Sequence, residues 1–200
     1  NGSSGYEEAA AQGLFAGINA ALYVKGEEPF YLGRSDGYIG VLVDDLSTKG
    51  TPEPYRMMTS RCEYRLLLRQ DNADLRLTEK AKRLGLISEE RYSFLQKKKE
   101  GIQSALNKLD THVSPSDALR TYMDSIGEPI PHQGATLFEL LKRPRVRYSA
   151  LLSLFDNLEP LDKNVEEQIE VLAHYDGYIE KQRAQVEREK ALENTPLPSD

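Results

Sequence analysis

An arginine-rich segment between residues 56 and 76 carries the side chains best suited to contact phosphate. A spacing of four residues places Arg61, Arg65 and Arg69 on one face of either a helix or a strand. Guanidinium groups bind phosphate oxygens and tyrosine rings stack on unpaired bases, so this composition predicts an RNA-binding surface. The predicted RNA-binding residues here are Arg56, Arg61, Arg65, Arg69 and Arg76, interleaved with Tyr55 and Tyr64. The sequence is equally compatible with salt bridges from these arginines to Glu53, Glu63, Asp71 and Asp74.

A second basic cluster lies at residues 142–147, where four cations fall within six residues. We predict that Lys142, Arg143 and Arg145 contact RNA, because loops of high positive charge density neutralise phosphates. A solvated surface turn without a ligand is the alternative interpretation of the same residues, and turns of that kind are the more frequent outcome.

The segment from Gly2 to Glu8 is a glycine- and serine-rich turn that leads into a predicted helix. The first backbone N–H groups of a helix lack internal acceptors, and the helix dipole adds partial positive charge there. Such a helix end can stabilise an anionic or electron-rich ligand edge, and glycines let a flat ligand approach the backbone. A capped helix end that binds nothing is the alternative from these residues alone.

No residue is predicted to be catalytic, and no metal site is predicted. The three histidines, His112, His132 and His174, have no paired ligand spacing. The single cysteine, Cys62, excludes an internal disulfide. It lies between arginines that could lower the pKa of its thiol, but no base is identifiable near it, which favours a packing role.

Of the 200 residues, 39% are hydrophobic and 29% are charged. This composition is typical of a folded globular chain. No apolar run approaches the roughly 20 residues of a bilayer-spanning helix, and no signal-peptide pattern is present. The net charge of −6 excludes a uniformly basic nucleic-acid binder, so any RNA contact must come from a local patch. The start in a Gly/Ser turn without Met predicts a fragment of a longer protein, with an expression scar as the alternative.

The elements that position these groups divide into an adaptor segment at about residues 1–77 and a helical domain at about residues 78–200. A helix is predicted over residues 6–23, and residues 38–46 fit either a short strand or a buried helix. We predict a strand over residues 61–68 and a turn at residues 71–74. Thr78 is the predicted N-cap of a short helix that ends before Gly85.

The rest of the chain is predicted to be helical. The predicted helices cover residues 88–109, 114–125, 136–141, 148–155 and 164–193. Apolar residues recur every seven positions in the last of these, at Val165, Leu172, Ile179 and Val186, as in an amphipathic helix packed along one face. The predicted fold class is therefore mainly α, a helical region with a small mixed adaptor segment.

Several runs of this sequence resemble the tRNA uridine 5-carboxymethylaminomethyl modification enzyme family, the GidA/MnmG proteins. The runs are GYEEAAAQG at residues 5–13, GINAA at 17–21, YIGVLVDDL at 38–46, EPYRM at 53–57, TSRCEYRLLLR at 59–69 and DNADLRLT at 71–78. Beyond about residue 90 the similarity is looser, with YDGYI at residues 175–179 as its main anchor. Cys62 stands where the family pattern has alanine.

The resemblance implies that the whole protein uses FAD, with NADH and methylenetetrahydrofolate, to install an aminomethyl-type group at C5 of wobble uridine. It implies that the FAD-binding α/β domain and the cysteines assigned to catalysis lie upstream of Asn1, and that a small end domain follows Asp200. The first helix would complete that upstream domain. Its implied cofactor-binding residues are Asn1, Gly2, Gly5, Tyr6 and Glu7.

The implied partners are tRNA, a second copy of the enzyme and a tRNA-modification GTPase, all cytoplasmic, with neither a membrane nor DNA involved. We therefore predict that this chain completes the flavin pocket, contributes to tRNA binding and is inactive alone. The alternative is a non-catalytic helical scaffold for homodimerisation or for docking of the partner GTPase.

Overall fold

The computed structural model describes residues 2–50, 52–131 and 133–193. Helices dominate these residues, which confirms the mainly α fold class. The chain forms two compact units, Asn1–Ser88 with Gln182–Asp200 as unit 1 and Glu89–Lys181 as unit 2. The domain boundary predicted near residue 77 stays a prediction. Among the described residues, no helix is both long enough and apolar enough to span a bilayer.

Unit 1 begins with helix α1 (Tyr6–Lys25), which ends at a glycine in the left-handed conformation. Gly26 has a φ of 70°, a value that favours glycine over residues with a side chain. The N–H of the next residue, Glu27, donates to the Leu22 carbonyl at 2.9 Å and closes the helix end. Glu8 and Leu22 are the buried side chains of α1, so most of the small-residue face of this helix is exposed.

Residues 38–46, for which the sequence allowed a strand or a helix, are helical. They form α2 (Tyr38–Asp44), which continues into a π-helical turn at Asp45–Lys49. Gly40 of α2 lies directly against a neighbouring loop, because a Cβ at this position would be 2.1 Å from the Gly33 carbonyl oxygen. This close approach presses α2 against the loop that carries Arg34.

The strand predicted over residues 61–68 is wrong. A 3-10 turn at Thr59–Arg61 leads into tight turns, in which the N–H groups of Leu67 and Leu68 both donate to the Tyr64 carbonyl, at 3.0 and 2.9 Å. These local bonds leave no backbone ladder for a partner strand. The segment instead contributes to a small core formed by Val41, Cys62, Tyr64, Leu68 and Val186.

Of the turn predicted at residues 71–74, residues 71–72 form a turn, but helix α3 (Ala73–Arg83) begins at Ala73, so the rest of the turn and the Thr78 N-cap are wrong. The Arg76 N–H already donates to the Asn72 carbonyl at 3.2 Å, and Thr78 lies buried in the middle of the helix. Gly85, with a φ of 70°, follows the end of α3.

Unit 2 is a bundle of helices with one short ladder. Its elements are α4 (Glu89–Leu109), β1 (His112–Val113), α5 (Asp117–Ile126), β2 (Ala135–Thr136), α6 (Leu137–Leu141), α7 (Tyr148–Leu154), α8 (Lys163–His174) and the first residues of α9 (Asp176–Glu193). The two strands pair antiparallel, with His112 opposite Thr136. The core is built from fully buried side chains that include Leu109, Met123, Leu137, Leu140, Leu141, Leu151 and Ile169.

Polar side chains fix the start of two helices in unit 2. The Ser116 hydroxyl accepts the Leu119 N–H at 3.2 Å at the start of α5. Thr136 and Glu139 form a reciprocal capping box at the start of α6, with bonds of 3.1 and 2.9 Å. A cap of this kind stabilises a helix by about 1 kcal/mol. The sequence predicted the α6 start at this threonine.

The single helix predicted over residues 164–193 is wrong, because the chain leaves the helical conformation at Tyr175. This residue has a φ of −111° and a ψ of 11°, between α8 and α9. The helix restarts at Asp176, whose carboxylate pairs with Lys142 at 2.8 Å, and Gly177 lowers the helix propensity in the first turn of α9. The seven-residue apolar pattern is therefore shared between two helices.

We expect Gly40→Ala to lower the free energy of unfolding of the chain by about 1–3 kcal/mol, because its Cβ would force the Gly33 backbone away. Gly13→Ala is the matched control, since a Cβ at Gly13 meets nothing within 4 Å. That change should stabilise α1 by about 1 kcal/mol through helix propensity. Urea titrations of both variants measure the difference, and equal effects would contradict the packing argument.

Candidate functional site

The guanidinium of Arg34 is the centre of the most connected polar group in unit 1. Its Nε and one Nη donate to the two Glu63 carboxylate oxygens at 2.6 and 2.9 Å. The other Nη donates to Asp44 and Asp45, both at 2.7 Å. A further bond of 3.1 Å reaches the Arg61 carbonyl, so one side chain joins α2 to the arginine-rich segment. We call Arg34, Asp44, Asp45 and Glu63 the Arg34 cluster.

Asp45 is the buried member of the Arg34 cluster, with 4% of its side chain exposed. Burial alone would raise the pKa of its carboxyl, but hydrogen bonds from Lys49, Tyr55 and Arg34 lower the pKa to about 2. The Tyr55 hydroxyl donates to Asp45 at 2.8 Å. Burial, and then this carboxylate, raise the pKa of Tyr55 well above its ordinary value, so the phenol remains a donor. Asp45 is therefore ionised at neutral pH, and each carboxylate of the cluster is paired with Arg34.

A cavity of about 570 Å³ opens between α1, α2 and the loop after Pro54. It is lined by Glu7, Glu8, Ala11, Tyr38, Ile39, Leu42, Arg56 and Met57. One wall is apolar, and the exposed Arg56 guanidinium contributes a positive charge. Cavities of this volume, with a few polar groups on an apolar lining, are typical of sites for small ligands.

Buried Glu8 ties the start of α1 to this loop. Its Oε1 accepts the Met57 N–H at 2.7 Å, and that bond is the main reason why the pKa of the Glu8 carboxyl is lowered. Its Oε2 is buried without a hydrogen-bond partner among the described residues and lies over Gly5, where a Cβ would come within 1.7 Å. A Ser3–Tyr55 bridge holds the same two segments together. A side chain at position 5 would therefore displace the Glu8 carboxylate.

The residues predicted to bind a cofactor gather at the N-terminal end of α1. Gly2 accepts the Tyr55 N–H at 2.5 Å, Gly5 precedes the helix, and Glu7 lines the cavity. The Tyr6 side chain points away from the chain and is 93% exposed. Asn1 lies outside the described residues. The assignment of these residues to a cofactor stays a prediction.

Arg56, Arg61 and Arg65 are exposed. Arg61 lies over the Tyr55 ring, 4.3 Å from its centroid, and its Nε donates to the Arg56 carbonyl at 3.1 Å. The Arg56 guanidinium itself has no hydrogen bond or ion pair within the described part of the chain, and Arg65 has one bond, from Nε to the Cys62 carbonyl at 3.3 Å. These three side chains can therefore reach a phosphate.

Arg69 and Arg76 are engaged in internal bonds. Arg69 forms a bidentate pair with Asp71, at 3.0–3.2 Å. Arg76 donates to the Asn72 side chain and to the carbonyls of Asp36 and Arg69. Burial lowers the pKa of Arg76, with the neighbouring Arg69 charge as the second cause. The row of three arginines on one face is not formed, because the segment is neither strand nor helix; RNA contact by Arg69 and Arg76 stays a prediction.

The basic cluster at residues 142–147 lies in unit 2 and is also bonded internally. Lys142 pairs with Asp176, and its ammonium lies 5.1 Å from the centroid of the Phe138 ring. Arg143 donates to the Pro129 carbonyl, which follows α5, and Arg145 donates at 2.8 Å to the carbonyl of Ile126, the last residue of α5. These arginines close the turn after α5, and their predicted contact with RNA remains a prediction.

Cys62 is buried, and burial is the main reason why the pKa of its thiol is raised. A thiol in that state is a poor nucleophile. No cluster of three or more potential metal ligands occurs in the described ranges.

Sequence reasoning missed the Arg34 cluster. The adjacent pair Asp44 and Asp45 at the end of an apolar run was the one available signal. Glu63 lies 29 residues from Arg34, a separation that no helical or strand spacing reveals.

We expect the stability of the chain to fall as the pH drops from about 4 to about 2, because Asp45 must then be protonated in the folded state. This carboxylate stabilises the fold by about 2 kcal/mol above that range. Asp45→Asn should lower stability at neutral pH and reduce the further loss of stability between about pH 4 and pH 2, as measured by thermal unfolding across pH. Asp44→Asn, at a more exposed position, is the control and should change both quantities less. An unchanged loss of stability at low pH in Asp45→Asn would contradict the role of this carboxylate.

The chain matches two family descriptions. Residues 89–183 match the tRNA modifying enzyme MnmG/GidA C-terminal helical domain, and residues 1–28 match Glucose inhibited division protein A. The solved structure of Aquifex aeolicus GidA in its form II crystal superimposes with a TM-score of 0.82 at 40% identity, covering 100% of this chain and 31% of that one.

Two curated relatives are named tRNA uridine 5-carboxymethylaminomethyl modification enzyme MnmG. The protein from Caldicellulosiruptor saccharolyticus is 54% identical over 199 residues, which is 99% of this chain and 32% of that protein. The protein from Alkaliphilus oremlandii is 55% identical over 203 residues, which is 100% of this chain and again 32% of the relative. The chain thus spans about a third of the length of these relatives. It belongs to the GidA/MnmG family of tRNA-modifying enzymes.

Proposed function

We propose that this chain is the part of an FAD-dependent tRNA-modifying enzyme that completes the flavin pocket and contacts tRNA. The whole enzyme would install carboxymethylaminomethyl-type groups at C5 of the wobble uridine, in keeping with the names of its relatives. The observation that carries the proposal is the cavity at the N-terminus of α1, with exposed Arg56 at its edge and Arg61 and Arg65 nearby in sequence. The cavity suits a flat ring, and the exposed arginines suit the phosphates of an RNA chain.

The cofactor half of the proposal depends on the chemistry of the cavity. Its apolar wall suits a flat ring, and the backbone N–H groups at the start of α1 suit the electron-rich edge of that ring. Glu7 and Glu8 stand at the same helix end, so the cavity is better suited to the flavin ring than to its diphosphate. Gly2, Gly5 and Glu7 would lie against the ring, and bound flavin would supply the electron transfer. No residue here is assigned to NADH or methylenetetrahydrofolate, which stay implied by the family.

The RNA half of the proposal depends on which cations the fold leaves available. Asp44, Asp45 and Glu63 are paired with Arg34 and do not neutralise the neighbouring arginines. Arg61 is already held against Tyr55 by its position over the ring. Exposed guanidinium groups are elements with which proteins bind the phosphates of RNA. The rings of Tyr55 and Tyr64, expected from the sequence to stack on bases, are buried and offer no stacking surface, so the proposed contact is with phosphates.

The partners of the whole protein are part of the same proposal. The enzyme would act as a homodimer in the cytoplasm, where its tRNA substrates are, together with a tRNA-modification GTPase. This chain contains no predicted nucleophile or base, so catalysis would require the remainder of the protein.

We expect the 200-residue chain to bind tRNA with an affinity that falls steeply as salt rises. Changing Arg56, Arg61 and Arg65 together to Ala should reduce the slope of log affinity against log salt by about 2, because each phosphate contact contributes about 0.7–0.9. The matched control changes three exposed cations elsewhere, Arg83, Lys97 and Arg188, to Ala, and should alter the slope much less.

Equal slopes for the two triple variants would mean that binding depends on net charge alone, and would contradict the assignment of Arg56, Arg61 and Arg65 to phosphate contacts. No binding by the folded chain would instead favour the scaffold function, with tRNA recognised elsewhere in the enzyme.

The flavin assignment predicts that Ala11→Leu in the full-length enzyme lowers the amount of bound flavin. Ala11 lines the cavity, so the larger side chain would occupy the space of the ring. Ala10→Leu, at an exposed position of the same helix, is the control and should leave flavin binding unchanged. The flavin absorbance per mole of purified protein is the measurement, and full flavin content in Ala11→Leu would argue against this cavity as the site.

A further inference from the structure

Helix α9 presents a mostly polar stripe to the turn formed by residues 61–68. Gln182, Val186 and Glu189 are spaced by four and three residues and therefore share one helical face. All three belong to unit 1, like the turn itself. Val186 is the buried member of the stripe, and the other two are half-buried. We call these three residues the α9 stripe.

The Gln182 amide binds the turn at two points. Its Nε2 donates to the Glu63 carbonyl at 3.2 Å, and its Oε1 accepts the Leu67 N–H at 3.3 Å. The Leu67 N–H also donates to the Tyr64 carbonyl at 3.0 Å. A single side chain therefore spans the backbone on either side of Tyr64 and Arg65.

Glu189 holds the side chain at the centre of the turn. Its carboxylate accepts the hydroxyl of Tyr64, which is 2% exposed. Val186 packs into the same small core, beside Cys62 and Leu68. The α9 stripe thus binds the turn through backbone, hydroxyl and apolar contacts, from residues more than 110 positions away in sequence.

The turn is held from a second direction by the Arg34 cluster. Arg34 binds the Glu63 carboxylate and the Arg61 carbonyl. The exposed side chains of Arg61 and Arg65 project from a backbone that is fixed by both sets of contacts. The two arginines can therefore keep a constant spacing, which a flexible loop would not provide.

We propose that Gln182 and Glu189 are positioning residues for RNA recognition, which hold Arg61 and Arg65 in the arrangement that meets the phosphates of tRNA. The inference rests on the proposed function, in which this chain contacts tRNA. In this inference Gln182 and Glu189 do not themselves contact the RNA, and each acts through the turn.

Because Glu189 is acidic, the direction in which its replacement changes RNA affinity tests the proposal. Removing an acidic side chain reduces the repulsion of RNA, so an effect of net charge alone would strengthen binding. Loss of positioning would weaken binding. The two explanations therefore predict opposite changes for the same substitution.

The test is equilibrium binding of tRNA to the full 200-residue chain. We expect Glu189→Ala to raise Kd by about fivefold to tenfold, since displaced Arg61 and Arg65 lose up to two phosphate contacts. Glu189→Gln removes the same charge but keeps an oxygen that accepts the Tyr64 hydroxyl, and should bind at least as tightly as the unchanged chain. Glu187→Ala, an exposed position on the same helix, is the charge control and should not weaken binding.

Gln182→Ala provides a second variant that leaves the Tyr64–Glu189 bond in place, and it should also raise Kd while the chain stays folded by circular dichroism. In a chain that already carries Arg61→Ala and Arg65→Ala, Glu189→Ala should not weaken binding further, because the groups that it positions are gone. A structural effect unrelated to these arginines would persist in that background.

Binding by Glu189→Ala that equals or exceeds that of the unchanged chain overturns the inference, and so does an equal loss in the background without the arginines. Either result leaves the proposed function intact if the variants that lack the arginines bind tRNA more weakly than the unchanged chain does. A folded, unchanged chain that does not bind tRNA overturns the proposed function and the inference with it.

Discussion

One guanidinium, that of Arg34, determines how the arginine-rich segment of unit 1 is presented. Three carboxylates converge on it within 2.7 Å, from the end of α2 and from Glu63. Its side chain is 20% exposed, so these pairs are screened by water less than pairs on an open surface. Removal of Arg34 would leave Asp45 buried and short of one partner, and the loss of a buried ion-pair partner is strongly destabilising. The cavity wall and the turn at residues 61–68 both depend on this contact.

The same cluster is consistent with the proposed RNA surface on a chain of net charge −6. Four acidic side chains close to the predicted RNA surface are occupied by internal partners, whereas Glu7 and Glu53 are exposed. Glu63 and Asp44 bind Arg34, Asp71 binds Arg69, and Glu8 binds the Met57 backbone. Because these carboxylates are engaged, Arg56, Arg61 and Arg65 remain available. Net charge therefore describes this chain less well than the pairing of individual groups.

The sequence predicted those parts of the fold that depend on local patterns. Helices α1, α4 and α6 lie where small-residue content, amphipathic spacing and a threonine cap placed them. The turn at residues 61–68 was misassigned as a strand because its conformation depends on contacts with α9, more than 110 residues away. The break at Tyr175 was missed because the seven-residue apolar pattern continues across it. The exposed arginines could be listed from sequence, but not the internal bonds of Arg69 and Arg76.

The ring of Tyr55 links the Arg34 cluster to an arginine on the surface. Its hydroxyl is fixed by Asp45, and its face supports the Arg61 guanidinium at 4.3 Å. A long arginine side chain normally loses rotamer freedom when it is immobilised by a ligand. Arg61 has lost part of that freedom before any ligand arrives. Its contribution to association should therefore show a smaller entropic penalty than that of Arg56, whose guanidinium makes no hydrogen bond or ion pair within the described residues.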